Sequence, residues 1–199
     1  MRFPRREAPV GLALACFVLA AAAAIGCGGG DGGNDSVIVP ASTASFAASG
    51  TLAAPNLVWL NQVSASGNLV VLEVVLGGPT TSSDLYSFAF DLVLGNAGVV
   101  QYVPGSAEVG DSLTTSGGQT LAVEASQSGG RVVVGVTKLG GGAGNGVAGA
   151  QAGVVQLTFK ALTVGTSTIS FSGSTALDSV GDPIGSIVFD AVPAAISGS

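Results

Sequence analysis

The sequence predicts an all-β domain, nine short strands folded as a two-sheet sandwich, and three observations carry that prediction. From Asn56 onward, β-branched and aromatic runs alternate with clusters of Gly, Ser, Asn, Asp and Pro every 8–15 residues or so, the spacing of strands and turns. Tyr86 to Leu94 alternates with a period of two: Tyr86, Phe88, Phe90, Leu92 and Leu94 point one way, and Ser87, Ala89, Asp91 and Val93 the other. No segment beyond Asn56 places apolar residues at helical spacing over three turns. Strands without helices bury their apolar faces against a second sheet.

The elements follow in chain order. Residues 1–26 read as a removable signal: Arg2, Arg5 and Arg6 form a basic start, and Val10 to Ile25 is a small and apolar run broken only by Gly11. Such a run is short for a membrane span, although an uncleaved anchor helix is the alternative at this length. Ala24-Ile25-Gly26-Cys27 resembles the lipobox of bacterial lipoproteins. That resemblance implies a diacylglycerol thioether on Cys27 and cleavage before it, with two or more acyl chains giving stable anchoring. Cys16 leaves with the signal, so the mature chain has no disulfide to form and is held by packing alone.

Gly28 to Asp35 is a glycine-rich spacer, and residues 27–55 together are predicted as a flexible tether, with one short extended piece around Val37-Ile38-Val39. The sandwich is placed at 56–193 and a tail at 194–199. Within it, strands are expected at Leu57–Asn61, Asn68–Leu76, Tyr86–Leu94, Val99–Val103, Thr120–Ser126, Arg131–Lys138, Val154–Leu162, Thr166–Ser172 and Ser186–Val192. Gly77–Asp84 reads as a polar loop, and Val147 to Ala152 as loop because glycines flank it.

Charge narrows the function. Removing residues 1–26 leaves Arg131, Lys138 and Lys160 against eleven carboxylates, a net charge of −8. That balance offers nucleic acid no basic footprint, and membrane attachment is by lipid rather than by a basic patch. The chain has no histidine, the usual base for nucleophilic catalysis. Alternation is expected to leave Lys138 and Lys160 exposed. Acids such as Asp91, Glu108, Asp111 and Glu124 are scattered, and a domain this small has little material for a substrate cleft. No enzyme activity and no cofactor are expected. Asp178 and Asp182 sit in a turn that lacks the dense oxygen spacing of a calcium loop, and calcium there stays open.

The strands also spell a family pattern. Tyr86 through Leu92, Val155-Gln156-Leu157-Thr158-Phe159-Lys160-Ala161 behind Gly144-Asn145-Gly146, Gly165 through Phe171, and Ala176-Leu177-Asp178 through Ile184 together resemble a cohesin domain. The resemblance spans residues 57–192. It implies a nine-stranded jelly-roll sandwich that docks a dockerin-like protein on the outer face of one sheet. Carried over by alternation, that face presents Ser87, Asp91, Glu124, Arg131 and Thr137, together with Ala89, Thr120, Ala122, Val133, Thr168 and Ser170. After the third strand this chain has Leu94-Gly95-Asn96 where the family usually has a Tyr-Asp-Pro-like corner. The alternative within the same architecture is polysaccharide binding, for which Trp59 and Tyr102 are the rings expected at the surface. Gly28 after the lipobox cysteine, rather than aspartate, points to the outer membrane as the site of anchoring.

Overall fold

Twelve strands occur among the described residues: β1 Ala44–Ala47, β2 Leu57–Ser66, β3 Leu69–Leu76, β4 Ser87–Leu94, β5 Val100–Tyr102, β6 Glu108–Val109, β7 Thr120–Ser128, β8 Arg131–Leu139, β9 Ala152–Ala161, β10 Gly165–Leu177, β11 Val188–Phe189 and β12 Ala194–Gly198. The computed structural model describes residues 38–51, 53–77, 84–113, 120–140, 142, 144 and 152–199. The signal, Cys27, the glycine spacer and residues 147–151 lie outside them.

One sheet has the order β1-β12-β10-β4-β8-β7, and the other β11-β2-β3-β9-β5, with β6 also paired to β9. All neighbours run antiparallel except β11 and β2, which run parallel through Val188–Leu57 and Phe189–Val58. The chain crosses repeatedly from one sheet to the other, as in a jelly roll. The all-β sandwich is therefore present, and each of the nine predicted strands has its counterpart in β2 to β5 or β7 to β11.

Period-two alternation builds the core. Phe88, Phe90, Leu92 and Leu94 of β4, Val132, Val134 and Val136 of β8, and Val70, Leu72, Val74 and Leu76 of β3 are all buried between the sheets. Phe90 meets Phe171 edge-on at 5.6 Å, and both contact Phe189 of the opposite sheet, at 6.0 and 5.4 Å. Ring pairs at such distances and angles contribute about 0.5–1.5 kcal/mol each beyond the area they bury.

Three expectations are corrected. The sandwich does not begin at residue 56. β1 pairs with β12 through Ala44–Gly198 and Phe46–Ile196, and Ala41 and Ala44 are buried. Ser49 and Thr51 donate to the carboxylate of buried Asp190, at 2.6 and 3.0 Å, which ties down a stretch expected to be tether. Residues 194–199 are no tail, because Ala194, Ile196 and Gly198 face the core while β12 sits between β1 and β10. Lys138, expected at the surface, is buried. It shares the parity of Val132, Val134 and Val136, so its strand turns it inward, and only Lys160 of the two lysines is exposed.

Candidate docking face

The face carried over from the sequence exists as one surface. β4 pairs with β8 through Ser87–Thr137, Asp91–Val133 and Val93–Arg131, and β8 pairs with β7 through Thr137–Ala122, Gly135–Glu124 and Val133–Ser126. Directly paired residues in a sheet point to the same side. Ser87, Asp91, Glu124, Arg131 and Thr137 therefore all lie on the outer side of β7-β8-β4, and Thr168 and Ser170 of β10 extend it. Four strands spaced about 4.8 Å apart make a shelf roughly 14 Å wide.

Its relief is low. Gly135 lies at the centre, flanked by Ala89 and Glu124, and a Cβ built there would meet nothing within 4 Å. Arg131 Nη1 donates to the Asp91 carboxylate across the β4–β8 pair. Arg131 is exposed, so this pair contributes little to stability, about 0–1 kcal/mol, and serves chiefly to set the guanidinium direction. Val133 and Leu139 add two aliphatic side chains that are 50% and 49% exposed. Leu139 was not anticipated, because the strand was expected to stop at Lys138. It is two residues beyond Thr137, and so on the same side.

At one end of this shelf the loops are pinned by a carboxylate. Asp84 accepts from the Ser179 hydroxyl at 2.5 Å, from the Ser179 backbone N–H at 3.2 Å, and from the Gly144 N–H. These donors, led by the Ser179 hydroxyl and aided by the Lys138 ammonium, hold the Asp84 carboxyl below the usual carboxylate range. Nearby, the Tyr86 hydroxyl donates to the Gly140 carbonyl. At the other end, Gly95 and Asn96 form the corner: Asn96 Oδ1 accepts from the Gly98 N–H at 3.0 Å, and Asn96 N–H donates to Ser167 Oγ at 2.9 Å. An Asx turn thus supplies the corner without the Tyr-Asp-Pro-like sequence.

The two rings proposed for a sugar platform are not together. Tyr102 is 1% exposed and packs its ring 6.0 Å from Phe159, because β5 turns Val100 and Tyr102 inward and only Gln101 outward. Trp59 is half-buried on the outer side of the second sheet, paired with Val75.

Sequence reasoning also missed a polar recess of about 490 Å³ on the second sheet, lined by Glu73, Asp111, Gly153 and Gln156. Asp111 accepts from the Gly153 N–H at 2.7 Å, and Gln156 Nε2 donates to Glu73 at 3.2 Å. No sequence motif marks it, since Glu73 and Asp111 come from separate parts of the chain. Asp178 spends one carboxylate oxygen on the N–H groups of Val180 and Asp182, at 3.0 and 2.9 Å, which organises the turn. Among the described residues, no group of three or more Asp, Glu, Cys or His side chains is placed to hold a metal ion.

No protein-family profile matches the chain, and no curated protein matches it. Solved structures similar to it are cohesin modules. A type II cohesin domain from the cellulosome of Acetivibrio cellulolyticus is 16% identical, covering 77% of this chain and 94% of that one, with a TM-score of 0.48. A non-cellulosomal cohesin from the hyperthermophilic archaeon Archaeoglobus fulgidus is 11% identical over 64% and 78%, with a TM-score of 0.43. The cohesin module of a family 33 glycoside hydrolase from Clostridium perfringens is 14% identical over 80% and 97%, with a TM-score of 0.42. Each of the three is a cohesin module, the kind of domain that the strand motifs of this chain resemble.

Proposed function

We propose that this protein is a non-catalytic docking module of cohesin type, held on the bacterial envelope by a lipid on Cys27, and that the outer side of β7-β8-β4-β10 receives a dockerin-like protein. The observation that carries the reading is the shelf itself. Small side chains leave its centre flat, the Arg131–Asp91 pair gives it polar register, and Val133 and Leu139 supply apolar contact. Lacking aromatic anchors of its own, such a face depends on a partner that brings them. The absence of histidine supports a non-catalytic role, and the lipobox-like Ala24 to Cys27 with Gly28 behind it supports anchoring, at the outer membrane.

Calorimetric titration of the purified protein with a panel of dockerin modules tests the docking. The double substitution Asp91→Ala, Arg131→Ala should weaken binding at least about tenfold, since truncating charged groups at such contacts costs of the order of 1–3 kcal/mol. Unchanged affinity would remove the face from the proposal. Retention on insoluble polysaccharide with no dockerin bound would replace protein docking by glycan recognition. Metabolic labelling with a fatty-acid analogue tests the anchor: the wild type should be marked, and equal labelling of Cys27→Ser would refute lipidation there.

A further inference from the structure

The end of the sandwich at which the described chain begins differs from the rest of the surface. Ile38, Val39 and Val164 are 74%, 53% and 53% exposed. With Val99 they border a concavity of about 450 Å³. The backbone here is held by pairing: Val164 N–H donates to the Val39 carbonyl at 2.9 Å, Ala41 N–H to the Leu162 carbonyl at 3.2 Å, and Pro40 bridges to Thr163. Three segments at this end, residues 38–43, 95–100 and 163–168, contain no ionisable side chain, and the charged residues paired beside them, Arg131 opposite Val93 and Lys160 opposite Gln101, are cations. Asp84, Lys138, Asp178 and Asp182 all lie toward the opposite end, where β4 begins and β10 finishes. In a chain with so acidic a mature part, these aliphatic segments without a carboxylate side chain are a localised exception.

Its position in the chain says what covers it. Ile38 is eleven residues after Cys27. Whatever its conformation, a segment of that length reaches at most about 40 Å. We infer that this end of the sandwich, with Ile38, Val39 and Val164 at its tip, rests on the phospholipid surface to which Cys27 is anchored. The inference builds on the lipidation proposed above. Tethering makes the contact intramolecular, so that a few aliphatic side chains suffice where a free domain would dissociate. The headgroup boundary accepts apolar side chains, and an anionic leaflet repels carboxylate side chains, of which these three segments have none. The strands run from this end to the other, so the docking shelf then stands on the flank, open to the aqueous side.

The test uses the full lipidated protein in vesicles of phosphatidylethanolamine and phosphatidylglycerol. With Cys16 cleaved away and Cys27 blocked as a thioether, a cysteine introduced by Val164→Cys is the sole free thiol and takes an environment-sensitive nitrobenzoxadiazole label. Val180→Cys, exposed at the opposite end, is the control, and circular dichroism verifies that both variants are folded. Lipids brominated on their acyl chains should quench the label at position 164 at least about twofold and leave position 180 unchanged. Adding Ile38→Asp should abolish that quenching. Protein that floats with the vesicles but shows equal quenching at both positions overturns the membrane contact while leaving the anchor intact. Protein that fails to float overturns the anchor and this contact together. A blue shift at position 164 that rises with protein concentration, without quenching, shows a second copy on the surface and also overturns it.

Discussion

The two ends of the sandwich are closed by different chemistry. At one, Asp84 gathers donors from Gly144 and Ser179 and so fastens two loops that are far apart in sequence. At the other, the chain closes by contact: a Cβ on Gly198 would lie 2.5 Å from the Thr163 carbonyl oxygen and 2.8 Å from the Ala41 Cβ, and no carboxylate takes part. The first closure depends on an ionised group and is open to pH. The second depends on close packing and on hydrogen bonds such as those of Ala41 and Val164, with no ionised side chain among them. The titratable closure thus lies where β4 begins and β10 finishes, and the closure where the described chain begins uses no carboxylate side chain.

The comparison can be broken or sharpened by substitution. The largest effect is expected from Ile196→Ala, which removes a wholly buried side chain beside the close-packed end. It should cost about 2–5 kcal/mol in denaturant unfolding, at every pH. Gly198→Ala should cost about 1–3 kcal/mol by overpacking, because the atoms it meets, a backbone oxygen and the Cβ atoms of Ala41 and Ala161, cannot swing aside. Asp84→Asn should have a smaller effect near neutrality and a characteristic dependence on acid. The folded carboxyl titrates below its unfolded value of about 3.9, so its contribution is complete above about pH 4 and is lost as pH falls through the lowered folded value. Melting temperatures recorded from pH 6 down to pH 2 should therefore fall less steeply in Asp84→Asn than in the wild type; parallel curves would deny the carboxylate this part. Val164→Ser should be nearly silent, within about 0.5 kcal/mol, since an exposed aliphatic side chain adds little to folding. A large loss there would mean that the aliphatic end is core rather than contact surface.

Much of this was legible from period-two alternation. The outward side of β4 followed from the parity of Phe88, Phe90 and Leu92, and the sheet membership implied by the cohesin resemblance put Asp91 and Arg131 on one face although they are forty residues apart. Elsewhere the reading failed. Alternation was expected to leave Lys138 exposed, although it shares its side with Val136. Tyr102 was offered as a surface ring although Val100 and Phe159 hold it inside. β1 and β12 escaped notice for another reason. Ala44 to Ala47 and Ala194 to Gly198 contain one large apolar side chain each, Phe46 and Ile196, too few for a strand signal. Only pairing with β10 and with each other makes them strands. The Asp84 clasp had no local signature, because its partners arrive from loops 60 and 95 residues away.

The interior position of β12 bears on how the protein is made. A polypeptide grows from its amino end, so residues 44–47 are synthesised long before residues 194–198, their partners in the sheet. Until β12 arrives, the edges of β1 and β10 that it will join have no companion, and unpaired strand edges recruit other chains. Completion of this sheet is therefore deferred until residues 194–198 have been made. A nascent chain in this condition needs shielding from its neighbours until β12 slots in.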